Sequence, residues 1–62
     1  QYKNTTEVIY VDSGSPFCQI TIGEAEDSFG ICISAVIRHG NVLVGADDII
    51  LEARDTIVCI KL

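Results

Sequence analysis

The segment from Ile31 to Val44 constrains this chain most. Ile31 to Ile37 is a run of apolar and β-branched residues with only Ser34 breaking it, and Ile31 to Arg38 reads as a strand. His39 and Gly40 follow, and apolar character resumes at once from Asn41 to Val44. A residue–glycine pair between two β-runs is a tight-hairpin signal, because glycine tolerates a positive φ. The fold must therefore be built around an antiparallel hairpin at this point.

The flanking segments extend the pattern. Glu7 to Val11 is β-branched and aromatic and predicts a first strand, with Gln1 to Thr6 polar and frayed before it. Asp12 to Pro16 gathers several turn-forming residues. From Phe17 to Glu26 the spacing of Ile20, Ile22 and Ala25, with Glu24 and Glu26, predicts a helix of about two turns. Gln19 to Ile22 also alternates, so a strand is the other reading of that stretch. Gly30 punctuates, Gly45 to Asp48 turns, Ile49 to Leu51 is a short apolar segment, Glu52 to Asp55 turns again, and Thr56 to Leu62 predicts the last strand. The expected architecture is α+β: a small β-α-β-β-β domain with an antiparallel meander and one short helix.

A chain of 62 residues is one domain at most, and a domain this small buries only about 60% of the surface its unfolded chain exposes. Yet 48% of its residues are hydrophobic. That is more apolar side chain than so short a chain hides by itself, which points to a partner, most simply a second copy. The formal charge is −5, and no Lys or Arg cluster exists. Nucleic acid and anionic membrane surfaces are disfavoured as partners.

Three cysteines without C-x-x-C spacing argue against a disulfide framework or a zinc site. Cys32 and Cys59 lie inside apolar runs and read as small buried hydrophobes in a reducing compartment. No signal peptide is visible, and no apolar run is long enough to cross a bilayer. The start at Gln1 and the strand-like end suggest a piece of a longer protein.

The quoted residues carry a resemblance. Gly30-Ile-Cys-Ile-Ser-Ala-Val-Ile-Arg-His-Gly40, then Asn41-Val-Leu-Val44, Asp48-Ile-Ile-Leu-Glu52 and Asp55-Thr-Ile-Val-Cys-Ile60 resemble the TrkA-C domain, the C-terminal lobe of regulator-of-potassium-conductance (RCK) proteins. Ser15 to Ala25 looks like that family's small helix, and the likeness runs from Glu7 to Leu62. Residues 1–62 are thus expected to form a single regulatory domain of this type. Three positions depart from the family pattern. Gln19 stands where its helix usually starts with Gly, Arg54 where a Gly precedes the aspartate, and Gly45-Ala46 where a Pro is frequent.

The resemblance implies a homodimer on the cytosolic side of a transmembrane potassium channel, uptake system or other transporter, with no direct membrane insertion. It also implies a small regulatory ligand at the dimer interface, cyclic di-AMP being the best-defined case. The ligand-binding residues carried over are Ile37 and Arg38, with His39 and Asn41 beside them. Two copies of Arg38 in a two-fold dimer would face the two phosphates of a cyclic dinucleotide. The plainer reading is that Arg38 closes the strand and pairs with a surface acid such as Asp47 or Asp48.

No catalytic residues are assigned. The sole histidine has no interpretable nucleophile partner, and no phosphate loop is present. No metal site is expected either, since the acids lack calcium-loop spacing, although Asp47 and Asp48 would be the first suspects. Two functions compete: a ligand-sensing regulatory lobe, and a purely structural dimerisation module that binds nothing.

Overall fold

A computed structural model describes residues 5–44 and 46–62. Five elements follow in order: β1 (Thr6–Tyr10), α1 (Ile22–Phe29), β2 (Ile31–Arg38), β3 (Asn41–Leu43) and β4 (Thr56–Lys61). The α+β class and the β-α-β-β-β order are as the sequence indicates. The expected fraying of the first six residues touches the described chain only at Thr5 and Thr6. Thr6 pairs with Ile60, and the Thr5 carbonyl accepts from Lys61 N.

The strands form one antiparallel sheet in the order β1-β4-β2-β3. The expected meander is corrected here. β2 and β3 form the hairpin, but β4 does not continue beside β3. It crosses back and inserts between β1 and β2. The reason lies in the side chains. Ile57 and Cys59 of β4 are fully buried on one face, while Val58 and Ile60 are half-buried on the other. A strand apolar on both faces belongs in the middle of a sheet. Three-residue β3, with exposed Asn41 and Val42, suits an edge.

One face of the sheet is covered. Ile22 and Ala25 of α1 pack with Val11, Ile31, Val36, Leu51, Ile57 and Cys59 into the buried core. The other face carries Cys32, Ile37, Val8 and Val42, and among the described residues no helix lies on it. Cys59 is buried as expected, but Cys32 is exposed. A one-residue step along a strand moves a side chain to the opposite face, and Cys32 stands opposite Ile60 whereas Ile33 stands opposite Cys59.

The helix begins later than the spacing suggests. Thr21 is its N-cap and forms a capping box with Glu24: Glu24 N donates to Thr21 Oγ1 (3.1 Å) and Thr21 N to Glu24 Oε1 (2.9 Å). Residues 17–20 instead form turns, and the strand alternative is realised in part. Gln19 N donates to the Leu51 carbonyl and Leu51 N to the Ile20 carbonyl, both at 2.8 Å, and Thr21 bridges to Ile50. A β-bulge between Ile33 and Ala35 interrupts β2, and the Ile33 N–H turns to Glu26 Oε2 at 2.8 Å.

Two of the departures from the TrkA-C pattern have a conformational answer. Gln19 (φ 72°) and Arg54 (φ 78°) both occupy the left-handed region. Asp55 N donates to the Glu52 carbonyl, so Arg54 is the third residue of a turn that wants a positive φ there. The turn has kept a glycine-type shape and accepted a side chain. Gly45, part of the third departure, lies outside the described residues. A non-glycine residue in this region costs roughly 1–2 kcal/mol, part of which glycine gives back through its freer unfolded chain. Arg54→Gly and Gln19→Gly are each expected to stabilise the domain by roughly 0.5–1 kcal/mol. Urea unfolding of the two variants checks this, and a loss of stability would mean that the native side chains make compensating contacts.

Candidate functional site

The C-terminal end of β2 gathers most of the polar chemistry. Arg38 pairs with Asn41 across a two-residue turn in which His39 (φ 52°) and Gly40 (φ 76°) both have positive φ. Two consecutive positive values are the signature of a type I′ hairpin turn. Glycine accepts this freely, and histidine is among the residues enriched there.

Arg38 lies two residues beyond buried Val36 and points to the covered face. Its guanidinium grips Asp55 with both ends: Nε donates to Oδ1 and Nη2 to Oδ2, each at 2.9 Å. Nη2 also donates to the Ile50 carbonyl at 2.9 Å, and Nη1 lies 3.3 Å from Glu52 Oε2. Asp55 is fully buried and accepts a third hydrogen bond, from Glu52 N to Oδ2 at 2.8 Å. Among the described residues no buried side-chain nitrogen or oxygen lacks a partner.

The hydrogen bonds from Arg38 hold the Asp55 carboxyl below its ordinary range. Burial opposes this, while the Glu52 N–H and the positive charge of Arg38 reinforce it. Reciprocally, the Asp55 hydrogen bond raises the Arg38 pKa above its already high value. Both groups are charged at neutral pH, one donor fork against one acceptor pair.

The expected partners of Arg38 are therefore replaced. Neither Asp47 nor Asp48 takes the guanidinium; Asp55 and Glu52 do. The cause is the strand order. With β4 beside β2, Ile37 stands opposite Thr56, and the next residue outward on each side is Arg38 and Asp55. Asp55 was visible in the sequence as a turn residue just before a strand. Its pairing depended on which strand lay beside β2.

Of the four residues assigned to a ligand, Arg38, His39 and Asn41 gather at the hairpin end, with His39 and Asn41 exposed. Ile37 alternates to the uncovered face, paired with Thr56 and Val42. A separate cleft of about 160 Å³ opens between α1, β2 and the end of β3, with Ile22, Glu26, Ile33, Leu43 and Asp47 among its walls. Among the described residues no three His, Cys, Asp or Glu side chains converge as metal ligands. Burial pushes the Cys59 thiol up, so it stays protonated. No helix among the described residues is long and apolar enough to cross a membrane.

Sequence comparison identifies the family to which this small sheet with one capped helix belongs. The TrkA-C domain pattern matches residues 7–60, and the chain belongs to that family. Among solved structures, it is similar to the RCK_C domain dimer of S. agalactiae BusR in complex with c-di-AMP. The TM-score is 0.74 at 23% identity, covering 87% of this chain and 75% of that one. No curated protein matches the chain in sequence.

The Arg38–Asp55 pair makes two predictions. Breaking a buried pair from one side costs about 3–5 kcal/mol. The Arg38 side chain keeps 22% of its surface exposed, which places Arg38→Ala at the lower end of that range. A chain of this length has only roughly 3–9 kcal/mol in total, so Arg38→Ala should show a collapsed denaturation midpoint. The second prediction concerns acid. A folded-state pKa below the unfolded one gives stability that is complete above the ordinary carboxylate range and fades as pH falls through the depressed value. Wild type should thus lose stability on acidification, and Asp55→Asn should lose less between about pH 5 and pH 2. Equal slopes in the two proteins would show that Asp55 titrates normally.

Proposed function

We propose that this chain is a non-catalytic regulatory lobe that works as a homodimer on the cytosolic side of a potassium or other ion or solute transport protein. Family membership supports the regulatory role. The fold shared with the BusR RCK_C domain, a dimer in complex with c-di-AMP, is the observation that carries the dimer. Such a lobe acts by population shift: the two copies favour one relative orientation and pass it to whatever is attached to them.

Arg38 bears on the choice between a sensing lobe and a purely structural one. Its guanidinium makes three hydrogen bonds inside the domain and is ion-paired with both Asp55 and Glu52. Two carboxylates already balance its charge, which weakens it as a phosphate clamp. This favours the structural dimerisation module. The second reading, cyclic di-AMP held between the copies, draws support from the BusR complex. In it Ile37 would cover a base, while His39 and Asn41 would contact the ligand at the hairpin end.

The test is the mass of the purified chain in solution, with thermal melting in the presence and absence of cyclic di-AMP. A dimer whose melting point is unmoved is the expected result. A ligand-dependent rise would establish the sensing lobe instead, since only a native-state binder stabilises the fold. Asn41→Ala and Ile37→Ala are the informative variants for mapping it, because Arg38→Ala removes an internal support as well. A monomer would overturn the homodimeric reading.

A further inference from the structure

β3 pairs with β2 only at Val36, Ile37 and Arg38. Among the described residues no strand lies beside Ile31 to Ala35 on that edge. Asp47 and Ile49 bond to the start of α1 instead: Gly23 N donates to the Asp47 carbonyl at 3.0 Å and Ile22 N to the Ile49 carbonyl at 2.9 Å. The cleft of about 160 Å³ lies between the open edge of β2, the helix and the end of β3.

Its walls divide by chemistry. Ile22, Ile33, Val36 and Leu43 supply apolar surface. The polar side chains are Glu26, Asp47 and Ser34, two carboxylates and a hydroxyl, all of them able to accept. No Lys or Arg lines the cleft, and among the described residues neither carboxylate enters an ion pair. Both are held in place. Glu26 Oε2 accepts from Ile33 N at 2.8 Å. Asp47 is drawn against α1 where only a glycine gives it room, since a Cβ on Gly23 would stand 3.3 Å from Asp47 Cβ.

We propose that this cleft binds a short free aliphatic amine. Its ammonium is held by Glu26 and Asp47, and its carbon stem lies on Ile22, Ile33 and Leu43.

Three observations select this occupant. The first is charge. Carboxylates facing a cleft without donors call for a ligand that brings donors, and an ammonium brings three together with a positive charge. A bare metal ion needs several converging oxygens and gains nothing from apolar walls. Among the described residues no such convergence exists.

The second is size. A cavity of about 150 Å³ takes a molecule as large as benzene, so this cleft suits on the order of five or six heavy atoms. The third is the state of the β2 edge. A strand adding to that edge would need the Ile33 N–H, and Glu26 already occupies it. The edge is closed to an extended peptide, while the space beside it stays open to a small molecule. Buried Ile22 and Val36 put the cleft on the covered side of the sheet. Ile37 faces the other way, so this site is separate from the one considered for cyclic di-AMP.

Amide chemical-shift titration of the isotope-labelled chain with n-butylammonium, at fixed ionic strength, tests the proposal. Saturable shifts at Glu26, Ile33, Ser34 and Leu43 are expected, with a Kd in the millimolar range for so small a ligand. n-Butanol has nearly the same shape without the charge and should bind roughly tenfold more weakly. Glu26→Gln and Asp47→Asn each remove one charge, and the glutamine keeps an acceptor for Ile33 N. Each should weaken butylammonium roughly tenfold. Asp27→Asn changes an acid of α1 that does not line the cleft, and it should leave the affinity as it is.

No saturable shift at the cleft would overturn the proposal. So would butanol binding as well as butylammonium, or Asp27→Asn weakening it as much as Glu26→Gln, since the first removes the role of charge and the second leaves only the general acidity of the chain. A lysine-containing peptide that binds much more tightly than butylammonium would also overturn it, and would make the cleft a docking site for protein.

Discussion

The two-pronged pair between Arg38 and buried Asp55 holds this domain together at its busiest corner. It ties the last residue of β2 to the residue that enters β4. Through the Ile50 carbonyl it also secures the 49–51 segment that packs under the sheet. Removing Arg38 leaves the fully buried Asp55 carboxylate without its counter-ion, which is why such a pair is costly to break from that side. Every acceptor of Asp55 that the fold supplies with a donor is satisfied locally, so the corner is rigid rather than merely attractive. That rigidity sets the base of the β2–β3 hairpin, which presents His39 and Asn41 to solvent.

The same corner gives an internal role to Arg38, a residue that a family likeness marks for ligand contact. An arginine at a strand end is equally suited to an outside phosphate and to an inside carboxylate. The inside carboxylate wins here because β4 lies beside β2. What remains open to a partner is the hairpin tip and, on the other side, the uncovered face of the sheet.

The two strained turns make a related point. Gln19 and Arg54 both sit at positive φ in turns where the TrkA-C pattern has glycine. Their backbone conformations are retained because they close on hydrogen bonds the core requires: Gln19 N to the Leu51 carbonyl, and Arg54 N to the Val11 carbonyl at 2.7 Å. Tertiary contacts outweigh a local preference of a kcal/mol or so.

By itself the sequence determined the parts. Ile31 to Arg38 as a strand, His39–Gly40 as a tight turn, the last strand, the element order and the family pattern were all legible, because hydrophobic period and turn chemistry are local properties. The surplus of apolar residues for so short a chain was legible too. Only the tertiary structure decided the rest. Placing β4 between β1 and β2 depends on long-range burial of a strand apolar on both faces, and that placement chose Asp55 over Asp47 and Asp48 as the partner of Arg38. The helix start at Ile22 followed from the pairing of residues 19–22 with 49–51, which took Gln19 to Thr21 out of the helix. The exposure of Cys32 followed from register, since one step along a strand exchanges core for surface. Period and propensity describe neighbours in sequence, whereas strand order and register are set by residues that meet only after the chain has folded.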